Sequence, residues 1–248
     1  ISDYYISPLG VVLKNFVPKR VKSRKDRVES RKYRKKEITL TREQQLAINK
    51  ITSRSIIPVP CFLLYGPAGS GKTEIYIHSI LQLATRDSQL QFLILVPEKT
   101  LLPQTLERYG QYFSPEEIVM LSSDLSKGQF YSHWQRIKSG EAKVIIGTRM
   151  AVFAPFKKLG LVVIDEEQDM SYKQWDMNPR YDARTVAEKL AQLHHCPLVR
   201  GSATLSIESY YRAKNGKLIL LKIPPLELKA ESGKPAGRQG GYNVLSEN

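Results

Sequence analysis

The chain has 248 residues, of which 42% are hydrophobic and 25% are charged, with 38 lysines and arginines against 24 acidic residues. This length fits one large α/β domain or two small ones, and the apolar share argues against wholesale disorder. No apolar run reaches the roughly 18–20 residues that cross a bilayer, so we expect no membrane partner. Two cysteines, Cys61 and Cys196, exclude a disulfide framework and a four-cysteine zinc site, which favours a reducing, cytoplasmic setting.

Positive charge is concentrated near the start of the chain. Residues 19–36 contain eleven lysines and arginines, with only Asp26 and Glu29 as acids. The net charge of the whole chain is +14. A segment of this density repels itself and attracts a polyanion, most simply nucleic acid. The alternative is a solvated linker or a localisation-like tract. We therefore expect a basic linker at 19–37 between residues 1–18 and a main block at 38–222, followed by a tail at 223–248.

Short apolar runs alternate with helical patterns through the main block. The runs lie at 61–65, 92–96, 144–146, 161–164 and 198–199, and the helical patterns at 42–51, 74–84, 100–109, 130–138 and 183–193. Apolar runs without charges are typical of strands that are buried on both faces. Their alternation with helices predicts an α/β fold with a doubly wound parallel sheet. Ligands of such sheets bind where the strands end, so the functional motifs should follow the apolar runs.

A phosphate-binding loop follows the first apolar run. Residues 66–73 match the pattern G-x-x-x-x-G-K-[ST] without a mismatch, between a predicted strand and a predicted helix. Glycines let several backbone N–H groups point at phosphates, and the helix N-terminus adds partial positive charge. We expect Lys72 to contact the β and γ phosphates of ATP and Thr73 to bind Mg²⁺. The nucleotide-binding residues of this loop are Gly66, Gly69, Ser70, Gly71, Lys72 and Thr73.

An acidic motif follows the run at 161–164. It reads Asp165-Glu166-Glu167-Gln168, and a buried strand before it would place it at the same edge of the sheet as the phosphate loop. We expect Asp165 to hold Mg²⁺ through its water shell and Glu166 to orient or deprotonate an attacking water. Together with the phosphate loop, this motif predicts hydrolysis of a nucleoside triphosphate, with ATP and Mg²⁺ as cofactors.

Several motifs resemble those of the superfamily-two helicases. Residues 165–168 are similar to their D-E-x-H/Q box, 201–204 to their S-A-T motif and 147–149 to their G-T-R motif. More specific segments resemble the primosomal replication-restart helicases, the PriA family, at 95–98, 103–105, 153–156, 171–174 and 180–184. This resemblance implies a RecA-like P-loop NTPase lobe of a DNA helicase that moves 3′-to-5′ on single-stranded or forked DNA. It also implies other primosome proteins and single-strand-binding protein as partners.

The resemblance also assigns roles to individual residues. It implies that Gln44 reads the adenine of ATP, and that Gln168 bridges to the S-A-T motif and acts in catalysis with Lys72, Asp165 and Glu166. The alternative for Gln44 is a capping box with Thr41 that only begins a helix. Both interpretations of Gln44 remain open at this point.

The segment at 171–184 resembles the aromatic-rich loop by which such helicases couple DNA binding to hydrolysis. Aromatic faces stack on bases without sequence preference, and cations bind phosphates. The alternative is a packed surface loop whose aromatic rings are buried. With the arginine of the G-T-R motif, the DNA-binding candidates are Arg149, Tyr172, Lys173, Trp175, Arg180, Tyr181 and Arg184.

The chain departs from the family pattern at three points. Gln168 stands where the family usually has histidine, which keeps a bridging group but loses titration. The family's cluster of zinc-binding cysteines is absent, so we expect no zinc. No arginine box of a second motor lobe follows residue 222, so we expect a truncated lobe with the end of a DNA-binding domain at 1–18 and the start of lobe two at 223–248.

Two alternatives to the helicase interpretation stay open. The chain could be a non-catalytic DNA-binding adaptor or another superfamily-two DNA translocase.

Overall fold

The computed structural model describes Pro18 and residues 39–53, 59–176 and 178–226. The basic linker predicted at 19–37, and nearly all of the segments predicted at 1–18 and 223–248, lie outside these residues. The described residues form a sheet of seven strands in which each neighbouring pair is parallel. Their order across the sheet is β3 (Ile118–Leu121), β4 (Val144–Gly147), β2 (Gln91–Leu95), β5 (Leu159–Ile164), β8 (Leu198–Ser202), β1 (Cys61–Tyr65) and β9 (Ile219–Lys222).

Helices cover both faces of this sheet. One face packs against α1 (Arg42–Thr52), α2 (Lys72–Arg86) and α3 (Leu102–Tyr109), and the other against α4 (Lys127–Ser139) and α5 (Ala183–His194). Successive strand residues alternate between the two cores, since Ile94 belongs to the first and Leu93 to the second. A sixth helix, α6 (Ile207–Lys214), follows β8. The predicted doubly wound parallel sheet is therefore confirmed.

The structure contains all five predicted strands and all five predicted helices, with ends that differ by no more than three residues. Strands β3 and β9 and helix α6 were not predicted. β3 and β9 are the two edges of the sheet, where each strand has one neighbouring strand and only part of its length is buried. An apolar run of four residues does not distinguish such a strand from a helix segment.

A short antiparallel pair, β6 (Lys173–Gln174) and β7 (Tyr181–Asp182), lies outside the main sheet and leads into α5. Asp182 caps α5, since its carboxylate accepts a hydrogen bond from the backbone N–H of Arg184 at 2.9 Å. This pair holds the two ends of the aromatic-rich segment at 171–184, which we call the aromatic segment, next to each other. Within the described ranges, no helix is both long and apolar enough to cross a membrane.

Candidate functional site

The phosphate-binding loop lies between β1 and α2, at the carboxyl edge of the sheet. Gly69 (φ +77°) and Gly71 (φ +83°) adopt the left-handed backbone that glycine enters without strain. Ser70 lies buried between them, and its hydroxyl has no hydrogen-bond partner among the described residues. A buried polar atom without a partner is costly, so this hydroxyl is an unsatisfied group within the loop.

The ammonium of Lys72 is folded back into the loop. It donates hydrogen bonds to the carbonyl oxygens of Gly66 at 2.8 Å and Pro67 at 3.3 Å, and the residue is buried. Both acceptors are neutral carbonyls, so these hydrogen bonds do not neutralise the charge of the ammonium. A triphosphate at this loop would therefore give Lys72 the anionic partner that the protein does not supply there. Thr73, the next residue, is half-buried at the start of α2.

Gln44 connects α1 to the phosphate loop. Its Oε1 accepts from the backbone N–H of Thr41 at 2.9 Å, and the Thr41 hydroxyl accepts from the N–H of Gln44 at 3.2 Å, which completes the capping box. Its Nε2 also donates to the carbonyl of Ser70 at 3.0 Å. A Cβ at Gly71 would overlap this amide, so the loop and Gln44 are closely fitted. Capping therefore occurs together with a direct contact to the loop, and the adenine role stays a prediction.

Asp165 is the first residue after β5. Its backbone N–H donates to the carbonyl of Leu95 at 2.9 Å, and its Oδ1 accepts from the hydroxyl of Tyr76 at 3.0 Å. Burial, followed by the charge of Glu166, raises the pKa of Asp165 to about 6, although Tyr76 and Lys72 act in the opposite direction. The surrounding protein therefore compensates the negative charge of Asp165 only in part, and a cation bound beside the carboxylate would stabilise its ionised form.

Glu166, Gln168 and Ser202 form a chain of hydrogen bonds between the acidic motif and β8. Nε2 of Gln168 donates to Oε2 of Glu166 at 2.9 Å, and the Ser202 hydroxyl donates to Oε1 of Gln168 at 2.5 Å. Glu166 has a left-handed backbone (φ +44°), an uncommon conformation for a residue with a side chain. The amide of Gln168 thus spans the two motifs, as the resemblance implied, and its part in catalysis stays a prediction.

One cavity of about 700 Å³ joins Gln44, the phosphate loop and the first two residues of the acidic motif. A volume of this size is ordinary for a cofactor site. The predicted site residues that line it are Gln44, Gly69, Gly71, Lys72, Thr73, Asp165 and Glu166, whereas Gly66, Ser70 and Gln168 do not line it. The structure therefore brings together most of the residues predicted to bind nucleotide and metal.

The oxygen groups of this cavity fit Mg²⁺ and a triphosphate. The Thr73 hydroxyl and the Asp165 carboxylate are hard oxygen ligands from two different elements that line one cavity. Within the described part of the chain, no group of three or more histidine, cysteine or acidic residues is arranged to hold a metal. Mg²⁺ suits such a site because it is usually bound by one or two protein ligands, with phosphates and water completing its shell.

The aromatic segment differs from the prediction in the exposure of its rings. Tyr172 and Tyr181 are buried, and Tyr181 packs edge-on against Phe153 with ring centroids 4.9 Å apart. Trp175 is 53% exposed and lies under the ammonium of Lys173, which is 3.8 Å from the ring centroid. Bases stack only on accessible ring faces, so the packed interpretation fits both tyrosines, whereas Trp175 keeps a free surface. The DNA-binding role of all three residues stays a prediction.

The predicted DNA-binding cations have different surroundings. Arg180 is exposed, whereas Nη1 of Arg149 donates to the carbonyl of Ser171 at 3.2 Å. Nη1 of Arg184 donates to the carbonyl of Glu167 at 3.0 Å, and its other nitrogens bind the Asp182 carboxylate. Arg149 and Arg184 therefore connect the aromatic segment to its neighbours, and Arg180 is freely available to an anion in this structure.

Two buried interactions beside the site involve residues that the sequence analysis did not identify. Tyr76 contacts Asp165, and Arg200 in β8 contacts Glu167. A signal for each is present in the sequence. Tyr76 lies four residues after Lys72, which places both on one face of α2, and Arg200 is a lone charge inside an apolar strand.

Solved structures confirm that the fold is that of RecA-like helicase lobes. The structure of RecG bound to a three-way DNA junction has a TM-score of 0.54 at 23% identity, over 82% of this chain and 25% of that chain. The helicase domain of Pyrococcus furiosus Hef has a TM-score of 0.53 at 23% identity, over 73% of this chain and 37% of that chain. At this identity the likeness establishes the fold alone.

Sequence relatives identify the family. Replication restart protein PriA of Bacillus subtilis is 41% identical over 80% of this chain and 24% of its own length, and that of Treponema pallidum is 36% identical over 95% and 35%. The chain thus spans about a quarter to a third of the length of these relatives. The family model of the DEAD/DEAH box helicases matches residues 41–213. The chain therefore belongs to the DEAD/DEAH box helicase family and is PriA-like within it.

Proposed function

We propose that this chain forms the ATP-binding lobe of a DNA helicase of replication restart, which binds Mg·ATP and single-stranded DNA. The observation that carries this proposal is the single cavity lined by Gln44, Lys72, Thr73, Asp165 and Glu166. A non-catalytic DNA-binding adaptor has no need for this complete set of groups. The similarity to PriA proteins favours replication restart over other superfamily-two translocases.

Each group in the cavity has a chemical task in this proposal. Gln44 contacts the adenine, and the backbone of the phosphate loop and Lys72 bind the phosphates. Thr73 and Asp165 hold Mg²⁺, which when bound neutralises charge that develops on the phosphoryl group. Glu166 orients or deprotonates the attacking water, and the Gln168 amide fixes its carboxylate through the 2.9 Å hydrogen bond.

Contacts between the aromatic segment and the acidic motif supply a route from DNA to this chemistry. The Tyr172 hydroxyl lies 2.6 Å from the carbonyl of Asp165 and 3.0 Å from that of Leu95. The Ser171 hydroxyl donates to the carbonyl of Pro97 at 2.7 Å. A strand of DNA that contacts Trp175, Lys173 or Arg180 would therefore act on the backbone that holds the metal-binding carboxylate. Movement 3′-to-5′, and contacts with other primosome proteins and single-strand-binding protein, belong to the same proposal.

Binding and hydrolysis by the chain test the proposal together. A fluorescent ATP analogue and a labelled single-stranded oligonucleotide report binding, and phosphate release with and without DNA reports turnover. We expect Lys72→Ala to weaken nucleotide binding at least tenfold, because Lys72 is the cation of the phosphate loop. Glu166→Gln should bind nucleotide normally and lose whatever turnover the wild-type chain shows.

The control is Lys189→Ala, which removes an exposed lysine from α5. It should bind nucleotide as the wild-type chain does. Equal binding by Lys72→Ala and the wild-type chain would overturn the nucleotide site. Nucleotide binding without any affinity for single-stranded DNA would remove the DNA part of the proposal.

A further inference from the structure

A buried tyrosine lies beneath the acidic motif. Tyr76 is on α2, one helical turn after Lys72, and is 1% exposed. Its hydroxyl donates a hydrogen bond to Oδ1 of Asp165 at 3.0 Å. The phenol is the donor in this pair, because a carboxylate oxygen can only accept.

The Tyr76 hydroxyl fits at this position because the nearest residue of β8 is a glycine. A Cβ at Gly201 would overlap the Tyr76 hydroxyl and would lie 3.2 Å from Oδ1 of Asp165. The strand that carries the S-A-T motif therefore has no side chain at the point where the tyrosine meets the carboxylate. One hydrogen bond thus joins α2 to the acidic motif, and Gly201 of the S-A-T motif lies against it.

We infer that Tyr76 is a positioning residue for the metal site: it binds one carboxylate oxygen of Asp165 and so leaves the other, Oδ2, oriented for Mg²⁺. This inference rests on the proposed function. Partners that hydrogen-bond to a metal-binding carboxylate fix its orientation, and their loss typically lowers metal affinity about 10–100-fold. Tyr76 lies on the helix that begins with Lys72 and Thr73, so its hydrogen bond fixes the position of the Asp165 carboxylate relative to these phosphate-binding groups.

A second buried tyrosine provides a matched comparison. Tyr109 in α3 is also 1% exposed and borders the same cavity. Burial, followed by the charge of Asp165, raises the pKa of Tyr109, yet the Tyr109 hydroxyl has no hydrogen-bond partner among the described residues. Tyr76→Phe and Tyr109→Phe therefore each remove one buried hydroxyl near Asp165, and only Tyr76→Phe removes a hydrogen bond to it.

The experiment measures how much Mg²⁺ strengthens nucleotide binding. The affinity of the full chain for a fluorescent ATP analogue is determined with saturating Mg²⁺ and with excess EDTA, and the ratio is the metal-dependent gain. We expect Tyr76→Phe to lower this gain at least tenfold while its affinity in EDTA stays within twofold of wild type. Tyr109→Phe should keep the full gain. Thermal unfolding of both variants checks that the fold is intact.

Three results would overturn the inference. If Tyr76→Phe keeps the full metal-dependent gain in nucleotide affinity, the Tyr76 hydroxyl does not position the carboxylate of Asp165. Equal loss in Mg²⁺ and in EDTA assigns Tyr76 to the phosphate loop in general. A wild-type chain that binds nucleotide with no gain from Mg²⁺ contradicts the proposed function itself, and the inference fails with it. Gly201→Ala supplies an independent variant, since displacement of Tyr76 should also lower the gain in any folded protein.

Discussion

Arg200 and Glu167 form an ion pair in the interior of the protein, with Nη1 of Arg200 3.3 Å from Oε2 of Glu167. Their exposed fractions are 5% and 1%. Nη2 of Arg200 also binds Oε1 of Glu188 in α5 at 2.5 Å, and the Ser206 hydroxyl donates to the Glu167 carboxylate at 3.3 Å. β8 is thus linked to the acidic motif by charge as well as by the contact between Ser202 and Gln168.

We predict that Arg200→Leu is strongly destabilising. Of the partners in the described part of the chain, the change leaves the buried carboxylate of Glu167 with the Ser206 hydroxyl alone, and breaking a buried pair typically costs about 3–5 kcal/mol. Urea unfolding of the variant and the wild-type chain measures the loss in the free energy of unfolding. The double variant Arg200→Leu/Glu167→Leu should recover part of it, because an apolar pair leaves no uncompensated charge at this position.

Arg212→Leu is the matched control for this prediction. Arg212 binds the same carboxylate oxygen of Glu188 at 2.6 Å, but its side chain is 34% exposed. Pairs in contact with solvent typically contribute about 0–1 kcal/mol. Similar small losses for Arg200→Leu and Arg212→Leu would show that burial of the Arg200 pair adds nothing to stability.

Asp165→Asn should stabilise the nucleotide-free chain at neutral pH. The pKa of Asp165 rises from 3.8 to about 6 on folding, mainly through burial. The folded state therefore binds this proton more tightly than the unfolded state, and the associated stability is lost as the pH rises through about 6. At about 1.4 kcal/mol per pKa unit, the ionised carboxyl costs about 3 kcal/mol at pH 7.5, which asparagine avoids.

Urea unfolding at two pH values measures this effect without Mg²⁺ or nucleotide. The free energy of unfolding of Asp165→Asn should exceed that of the wild-type chain at about pH 7.5. The difference should shrink towards about pH 4, because the folded carboxyl is then protonated and the unfolded carboxyl, whose pKa is 3.8, is about half-protonated. A difference that does not change with pH would contradict the raised pKa.

The sequence predicted the central part of this molecule better than its margins. Strands β1, β2, β4, β5 and β8 are buried on both faces, so each produces an apolar run that needs no tertiary information. The phosphate loop and the acidic motif were predictable because their chemistry requires those residues at those strand ends. The edge strands β3 and β9 lack this signal.

Contacts between distant segments were beyond the sequence analysis. Tyr76 and Asp165 are 89 residues apart, and Arg200 and Glu167 are 33 apart, so only the packed sheet brings each pair together. Burial of Tyr172 and Tyr181 has the same origin, because composition does not distinguish an aromatic ring that packs from one that faces solvent. Exposure, which decides whether a ring can stack on a base, is a tertiary property.

Gln44→Ala tests whether the amide reads adenine or only supports the loop. The Gln44 amide already binds Thr41 and Ser70 and retains one further donor and acceptor position. If these contact the adenine edge, two hydrogen bonds are lost, and affinity for ATP should fall about tenfold more than affinity for GTP. Competition of both nucleotides against a fluorescent ATP analogue measures the ratio.

Thr41→Ala serves as the control for Gln44. It removes the hydroxyl that accepts from the N–H of Gln44, and it should cost about 1 kcal/mol of stability without changing the ratio of ATP to GTP affinity. An equal loss of both nucleotides in Gln44→Ala would limit this residue to holding the carbonyl of Ser70.

Trp175→Ala should weaken binding of single-stranded DNA while leaving stability unchanged. The ring is 53% exposed and pairs with the Lys173 ammonium, so a base can stack on it while the cation approaches a phosphate. Stacking on one aromatic ring typically contributes about 1–3 kcal/mol, which corresponds to a loss in affinity of about fivefold to over a hundredfold. Fluorescence anisotropy of a labelled oligothymidine measures the loss.

Tyr211→Ala separates this site from exposed aromatic rings in general. Tyr211 lies on α6 and is 65% exposed, so it offers a ring of comparable accessibility outside the aromatic segment. We expect Tyr211→Ala to bind the oligonucleotide as the wild-type chain does, because no interaction within residues 39–53, 59–176 and 178–226 links that ring to the acidic motif. Equal losses in both variants would mean that DNA binds exposed rings without regard to position, and Trp175 would then have no special place in coupling DNA to the nucleotide site.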